Sequence, residues 1–440
     1  MKWTKVWKWL VAAFGILSAG VLAAQPDHWV HSDPGFRVLD ISAVKQTLWV
    51  CGVHESIASS ADDGRHWTIR HQVADGGLLL QIAFSDDQFG YAVGSGGVLL
   101  TTEDGGTTWL PHKLGQETIL QGSFSSSKHG LIRTPSSLLF TTDGGETLLP
   151  VAAGQSADAL KRFPFTFALA MLDSSHMAVL LKEGPYSEGG FLSSSDAGKS
   201  WQFADIPNTG TASLVAAEGR YWAIGHEVVG KDKPGGGHAV PMALTSTDGV
   251  TWTHSAQDVS VCSREGCGVC NTIGCLAASN TLARLFEKQV MYATFPVGNE
   301  LTPKWAATSS TICSVGRTLS CAQLTPSLLP KDFPGPPPAA LGTPAVGSVP
   351  RSGPRCLSCP LDPVFIDPKN QGQFTVKLTL QIGKDGLISD ASVEGAPTPA
   401  IKAAIRKSSA DWLFEPYSKD GRQVAVVMKT SAVINVIRSR

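Results

Sequence analysis

The stretch that decides the fold is LLLQIAFSDDQFGYAVGSGGVLLTTEDGGTTW, which runs from Leu78 to Trp109. Leu80, Ile82 and Phe84 alternate with other residues, as in a β-strand with one buried face, and two further apolar runs of strand length follow. The stretch ends in Thr-x-Asp-x-Gly before the tryptophan. This pattern is typical of a hairpin turn, because the carboxylate accepts backbone hydrogen bonds and glycine adopts a positive φ. The sequence therefore predicts a small antiparallel sheet whose last strand begins at a large aromatic residue.

This turn, the Asp box, occurs five times, as SADDGRHW, TEDGGTTW, TTDGGETL, SSDAGKSW and STDGVTW. The third copy has Leu148 in place of tryptophan, and the fifth is one residue shorter. Successive box aspartates are roughly 40 to 50 residues apart, the usual length of a four-stranded β-propeller blade. We expect a structural role in these turns, with no catalytic or cofactor-binding function, for Asp62, Gly64, Trp67, Asp104, Gly106, Trp109, Asp143, Gly145, Asp196, Gly198, Trp201, Asp248 and Trp252.

The boxes resemble the Asp-box, or BNR, repeats of sialidase-like propellers. The fuller unit, with GYAVG upstream of the box, resembles the photosystem II assembly and stability factor family over residues 36–255. The resemblance implies a mainly β fold, with a six- or seven-bladed β-propeller over residues 25–322. In this interpretation the cysteine-rich segment 256–322 supplies one or two degenerate last blades.

Residues 1–24 have the pattern of a secretory signal peptide. Three lysines precede an apolar run from Leu10 to Leu22, and the small residues Ala23 and Ala24 follow. The pattern predicts an exported protein. The alternative is an uncleaved membrane anchor, although the run is shorter than the roughly 20 residues that span a bilayer.

Export also governs the interpretation of the nine cysteines, because disulfides form in oxidising compartments. Cys51 occupies the position of Val93 and Ile224 in other repeats, so we expect it to be a buried apolar residue. The remaining cysteines are predicted to form disulfides of open pairing: Cys262, Cys267, Cys270, Cys275, Cys313, Cys321, Cys356 and Cys359. The first four could instead bind zinc as a cluster of thiolates.

Residues 323–363 are predicted to be a linker. Twelve of the chain's 27 prolines lie between Thr325 and Pro368, and proline at this density favours an extended, stiff backbone over a packed core. We expect this linker to hold two domains apart as well as together.

Residues 364–440 have the pattern of a small α+β domain. An alternating strand from Phe374 to Ile382 leads into a hairpin turn at Asp385-Gly386 and a return strand. A helix follows, with Pro399 in its first turn, and a last strand is predicted from Val424 to Val436. We expect Ile401, Ala404 and Ile405 to lie on one face of this helix.

This order of elements, with WLFEP before the last strand, resembles the TonB C-terminal domain. In that family the domain adds its strand to a segment of a periplasmic partner. Together with the predicted export, the resemblance therefore implies a protein of the Gram-negative envelope, periplasmic or associated with the outer membrane. It also implies an envelope protein or peptidoglycan as the partner of this domain.

Composition and motifs narrow the function. A formal net charge of −1 gives no electrostatic basis for binding nucleic acid. Sialidase-like hydrolysis would need clustered arginines, a tyrosine nucleophile and paired acids, and the sequence offers only Arg37 in a suitable setting. We therefore expect a non-enzymatic binding or scaffold protein without cofactor, whose propeller binds a glycan or a protein. The alternatives are a TonB-type energy transducer in outer-membrane transport and, third, a sialidase-like hydrolase.

Overall fold

Four-stranded antiparallel sheets dominate the N-terminal part of the chain. The computed structural model describes residues 30–151, 155–162, 165–182, 189–206, 209–217, 219–229, 238–254, 304–307, 311–315, 318–323, 354–359, 364–367, 370–410, 412–419 and 422–437. The predicted signal peptide, the cysteines Cys262 to Cys275 and most of the proline-rich segment lie outside these residues.

Five of the sheets are built from consecutive strands, and we call them blades 1 to 5. Blade 1 contains β2 (Val38–Val44), β3 (Thr47–Gly52), β4 (Ile57–Ser60) and β5 (Thr68–His71); blade 2 contains β6 (Leu79–Phe84), β7 (Gly90–Gly94), β8 (Val98–Thr102) and β9 (Leu110–Lys113). Blade 3 contains β10 (Gln121–Phe124), β11 (Gly130–Arg133), β12 (Leu138–Thr141) and β13 (Leu149–Pro150). Helix α1 (Gln155–Arg162) precedes blade 4, which contains β14 (Phe165–Met171), β15 (Met177–Lys182), β16 (Gly189–Ser194) and β17 (Gln202–Ile206). Blade 5 contains β18 (Thr209–Ala217), β19 (Arg220–Val229), β20 (His238–Ser246) and β21 (Thr253–His254).

A sixth described sheet, the closing blade, joins the two ends of this region. It contains β22 (Lys304–Ala307), β23 (Thr311–Val315) and β24 (Leu319–Gln323), and its outer strand is β1 (Val30–Ser32) from the start of the described chain. Strand β2 lies beside both β6 and β22, so blade 1 is a neighbour of blade 2 and of the closing blade. The arrangement is a β-propeller closed by its own N-terminal strand. Residues 255–303 lie outside the described residues, so a blade number of six or seven stays a prediction.

Strand burial follows position within each blade. The second strand of blade 2, β7, is buried at every residue because it has strands on both edges and sheets on both faces, whereas the outer strand β9 is exposed throughout. This explains why GYAVG is a continuous apolar run without alternation. Each pair of adjacent described blades shares one apolar cluster, so the core lies between the blades.

The C-terminal unit is a second, α+β structure. Its main sheet has the order β26-β32-β27-β28, where β26 is Val364–Ile366, β27 is Gly372–Ile382, β28 is Ile388–Glu394 and β32 is Val426–Ile437. Helix α2 (Pro399–Ser409) packs on β28, with Thr398 as its N-cap accepting the Ile401 N–H. Smaller pairs are β25 (Cys356–Ser358) with β29 (Leu413–Phe414), and β30 (Ser418–Lys419) with β31 (Arg422–Gln423).

Three details of this unit differ from the expectations. Strand β25 lies inside the segment assigned to the linker and pairs with β29, so the unit begins before residue 364. Ile401 and Ile405 are buried under the helix, but Ala404 is exposed because it lies at the margin of the apolar face. The unit also packs directly against the propeller, so the expectation that the linker keeps the two domains apart is wrong for the described residues.

Candidate functional site

The Asp boxes form turns that are closed by their own side chains. In blade 2 the Thr102 hydroxyl donates to Asp104 Oδ1 at 2.8 Å and accepts the Gly106 N–H at 2.9 Å. Asp104 then accepts the backbone N–H of Thr108 at 2.9 Å and the Thr108 hydroxyl at 2.6 Å. The boxes at Asp62, Asp143, Asp196 and Asp248 repeat the Ser/Thr hydroxyl and backbone contacts. The carboxylates are therefore the acceptors of their turns, as the sequence predicted.

The box glycines have the predicted left-handed backbone, with φ between 75° and 93°. The four longer boxes contain a second left-handed residue directly before this glycine. In blades 2 and 3 that residue is another glycine, but in blades 1 and 4 it is Asp63 (φ 65°) and Ala197 (φ 59°). The shortened fifth box has only Gly249 (φ 75°) in this conformation, so its turn closes one residue earlier.

The same hydrogen bonds keep the box carboxylates ionised. Bonds from the side chain and backbone of Thr108 lower the pKa of Asp104 to about 2, and Ser200 does the same for Asp196. The backbone and side chain of Thr147 lower the pKa of Asp143 to about 2. An acid with this pKa is not a proton donor near neutral pH, so these residues are unsuited to the acid role in glycoside hydrolysis.

The box tryptophans pack between blades. Trp109 and Trp201 are each 7% exposed, and Trp67 and Trp252 are half-buried against their clusters. Leu148, which replaces tryptophan in the third box, packs against the cluster between blades 2 and 3.

Arg37 and Tyr91, residue types that a sialidase-like reaction would require, make contacts that stabilise the fold. Arg37 precedes β2, and its carbonyl accepts the Val53 N–H at 3.2 Å. Tyr91 is buried and donates to the Gly122 carbonyl at 3.0 Å, and burial raises its pKa, which disfavours the nucleophilic phenolate. Among the described residues, no group of three or more His, Cys, Asp or Glu side chains could hold a metal ion. No helix of the described part is long and apolar enough to cross a membrane.

Polar links between the innermost strands of adjacent blades were not predicted. Asp40 Oδ2 accepts the Ile82 N–H at 2.8 Å, and Gln81 accepts the Gly122 N–H at 2.7 Å. Ser123 continues the series by accepting a backbone N–H of blade 4 at 2.9 Å. Each of the three accepting residues is the third residue of the first strand in its blade. Because the three residue types differ, only their shared position in the first strand could have indicated these links from the sequence.

The described cysteines occupy distinct environments. Cys313 and Cys321 form a disulfide between β23 and β24 in the closing blade, against Gly64 of the first box. Cys356 and Cys359 form a second disulfide at the start of the C-terminal unit. Cys51 is a buried thiol whose Sγ lies 3.5 Å from the Leu79 carbonyl oxygen. The four cysteines proposed for disulfides or zinc, Cys262, Cys267, Cys270 and Cys275, lie outside the described residues.

The C-terminal unit covers one end of the propeller. The boxes connect third to fourth strands, so loops between second and third strands, and those between blades, lie at the opposite end. At that end, leucines of the C-terminal unit join buried residues of blades 1 and 2 in an apolar group that we call the junction cluster: Leu39, Val53, Leu78, Leu80, Leu357 and Leu413. The Thr118 hydroxyl also donates to Glu415 across the junction.

A cleft of about 1290 Å³ opens beside this cluster, and we call it the junction cleft. Its propeller wall consists of the turn at His54 and Glu55, the loop 74–77, and residues of blade 2 including Gly96 and Lys113. Its other wall consists of the hairpin turn 383–389 and of residues 415–418, 422 and 423 of the C-terminal unit. The cleft therefore exists only because the two units are packed together.

The C-terminal sheet has a second candidate feature, an open strand edge. Strand β32 pairs with β27 from Val426 opposite Ile382 to Val436 opposite Gly372. On its other side, β26 pairs only with residues 435–437. No strand of the described chain pairs with residues 426–434 on that side. Val427 and Val433 of this strand lie on the exposed face of the sheet.

Comparisons with known proteins agree with the propeller. The family model described as "Photosynthesis system II assembly factor YCF48" matches residues 71–225. Together with the sheets, this match identifies a BNR-type β-propeller and confirms the predicted resemblance over that range. No curated protein matches the chain.

The solved structures that the chain matches have low sequence identity to it and TM-scores below 0.4. YCF48 bound to a D1 peptide is 13% identical, with 68% of this chain and 96% of that chain covered and a TM-score of 0.37. YCF48 from Cyanidioschyzon merolae is 12% identical, with 68% and 99% covered and a TM-score of 0.38. An ancestral GH74 enzyme is 14% identical, with 52% and 32% covered and a TM-score of 0.34.

Proposed function

We propose that this protein is a non-enzymatic binding or scaffold protein of the cell envelope, whose C-terminal unit accepts an extended segment of an envelope partner. The observation that carries the proposal is the open edge of β32 along residues 426–434. A strand edge presents a row of backbone N–H and C=O groups, and a partner segment can add to it as another strand.

The proposed partner site has apolar positions for side-chain recognition. Val427 is 66% exposed and Val433 is 43% exposed on this strand. Backbone hydrogen bonds along the edge would supply affinity, while alternate side chains of the added strand would contact such exposed positions and supply specificity. The element order β27, β28, α2, β32 is the one on which the resemblance to the TonB C-terminal domain rests, and that resemblance motivates a partner in the periplasm.

The non-enzymatic part of the proposal is supported by the chemistry of the boxes. Their aspartates are hydrogen-bonded acceptors with lowered pKa values, and Tyr91 is a buried donor with a raised pKa. The box aspartates and Tyr91 are thus unsuited to the acid and tyrosinate roles of a sialidase-like reaction. In one of the matched structures YCF48 is bound to a peptide, and peptide or protein binding by the propeller belongs to this proposal.

Photocrosslinking in cells tests the partner site. We expect benzoylphenylalanine at Val427 or Val433 to crosslink an envelope protein, whereas the same group at Leu110, which is 58% exposed on the propeller, should not capture that protein. If neither position on β32 yields a crosslink that Leu110 lacks, strand addition at this edge is wrong.

Fractionation separates the proposal from the alternative of a TonB-type energy transducer. A soluble periplasmic chain that begins near Ala24 or Gln25 is expected for the scaffold. A chain that keeps residues 1–24 and remains with the inner membrane would favour the transducer.

A further inference from the structure

Three of the four acidic side chains of the junction cleft accept hydrogen bonds from the protein itself, and the fourth is Asp75 of the propeller loop. Four acidic and four basic side chains line the cleft. Glu55 accepts a backbone N–H of the facing propeller loop at 3.1 Å, and Asp385 accepts a backbone N–H of its own hairpin turn at 3.1 Å. Glu415 accepts the Thr118 hydroxyl. Three of the four carboxylates are thus oriented by local hydrogen bonds.

Most of the basic side chains of the cleft, in contrast, have no ion pair or hydrogen bond within the described part of the chain. Lys113 comes from the propeller, and Arg355, Lys384 and Arg422 come from the C-terminal unit; all four are exposed. Within the described part of the chain, the structure gives no ion pair or hydrogen bond to the side chains of Lys113, Lys384 or Arg422. Arg355 interacts electrostatically with Glu117. The cleft therefore offers cationic groups from both walls to a ligand, although its formal charges balance.

The propeller wall contains a strained turn. His54 (φ 58°) and Glu55 (φ 46°) are consecutive left-handed residues between β3 and β4, whereas the equivalent turn of blade 2 has Gly96 (φ 65°) and Gly97 (φ 74°). Left-handed backbone is unfavourable for a residue with a Cβ, and such strained conformations concentrate at functional sites. The buried Nδ1 atom of His54 has no hydrogen-bond partner in the described structure. Blade 1 thus has two polar side chains at the cleft, at positions where glycine would adopt the left-handed backbone at lower cost.

The size of the cleft favours a chain segment over a small molecule as its ligand. Its volume of about 1290 Å³ exceeds the roughly 300–1000 Å³ that is usual for small-molecule sites. Its walls are held by the junction cluster, in which Leu78 and Leu413 are fully buried, so the site is formed before a ligand arrives.

We propose that the junction cleft binds an extended acidic peptide segment of a partner protein, whose carboxylates pair with Lys113 of the propeller and with Lys384 and Arg422 of the C-terminal unit. This site is separate from the edge of β32. The site also requires both units, because neither unit carries all of these cationic groups.

The test uses the full chain and a fluorescein-labelled peptide of alternating glycine and glutamate, ten residues long, in fluorescence anisotropy. The glutamate peptide should bind, and a peptide with lysine in place of glutamate should not. Lys113→Glu and Lys384→Glu should each weaken binding about tenfold, because each replaces an attraction by a repulsion. Binding should also weaken as salt increases.

Lys407→Glu, an exposed change on α2 outside the cleft, is the matched control and should leave affinity unchanged. Equal binding of the two peptides, an equal loss in the control, or full displacement by free glutamate at equal carboxylate concentration would overturn the proposal. Because the variants leave β32 intact, crosslinking from Val427 reports on the proposed function independently of this result.

Discussion

The ring of Trp109, from the Asp box of blade 2, lies edge-on to the ring of Trp49 in blade 1, with centroids 6.1 Å apart and an interplanar angle of 65°. Phe84 completes the group, with its centroid 5.0 Å from Trp49 and 5.9 Å from Trp109. The box thus fixes its own turn with the aspartate and fastens its blade to the preceding one with the tryptophan.

Trp109→Ala should lower the free energy of unfolding by about 3 to 5 kcal/mol, since it removes a buried aromatic residue and leaves a cavity between two blades. Urea denaturation of the full chain measures the change. Leu110→Ala, at an exposed neighbouring position, should cost little. A loss below about 1 kcal/mol at Trp109 would mean that the box tryptophan does not contribute to the core as argued.

Acid sensitivity should depend on the box aspartates. The folded-state pKa of Asp104 is lowered from 3.8 to about 2. Its contribution is therefore fully present above pH 4 and is lost as the pH falls from about 4 to about 2. Asp104→Asn should lower the urea midpoint at pH 7 and reduce the fall in midpoint across that interval. Glu103→Gln, an exposed neighbour, serves as the control, and an unchanged acid dependence in Asp104→Asn would contradict the assignment.

The Cys313–Cys321 disulfide should stabilise the blade that closes the ring. It links β23 to β24, which pairs with the N-terminal strand β1. The double change Cys313→Ser and Cys321→Ser should lower the free energy of unfolding by about 2–3 kcal/mol, as expected for a loop of this length. The Cys356–Cys359 disulfide closes a shorter loop. Its removal by Cys356→Ser and Cys359→Ser should therefore have a smaller effect on the free energy of unfolding. The reverse order would argue against this account of ring closure.

Docking of the C-terminal unit should depend on the junction cluster. Leu357→Asp would bury a carboxylate among leucines, so the unit should detach from the propeller. Small-angle X-ray scattering should then report a larger radius of gyration. Leu110→Asp, on the propeller surface, should leave the radius unchanged. An unchanged radius in Leu357→Asp would mean that the leucines do not hold the units together.

The strained turn predicts an unusual pair of effects. His54→Gly relieves a left-handed backbone and removes a buried nitrogen without a partner, so the melting temperature should stay equal or rise. Affinity for the acidic peptide should fall in the same variant, because the propeller wall of the cleft becomes more mobile. A lower melting temperature would show that the side chain is retained for packing.

The individual blades are largely predictable because their information is local. Each box carries its turn residues and its large apolar residue, tryptophan in four of the five, within eight positions. The alternation of apolar residues and the placement of glycines indicate β6 to β9 from the sequence alone. The C-terminal strands and helix are predictable for the same reason. The second left-handed residues Asp63 and Ala197 are not predicted from the sequence, because alanine rarely adopts a positive φ and aspartate adopts it only occasionally.

By itself, the sequence determined a BNR-type propeller and turn roles for the box aspartates, since hairpin chemistry and hydrophobic period are written in adjacent residues. The tertiary structure alone decided the links from Asp40, Gln81 and Ser123, and the packing of Leu357 and Leu413 on blades 1 and 2. These contacts join residues that lie from 41 positions, for Gln81 and Gly122, to several hundred positions apart in the chain. They depend on how the sheets face each other in the closed ring. The junction cleft belongs to this second class, because its two walls are separate in sequence and meet only when the C-terminal unit docks on the ring.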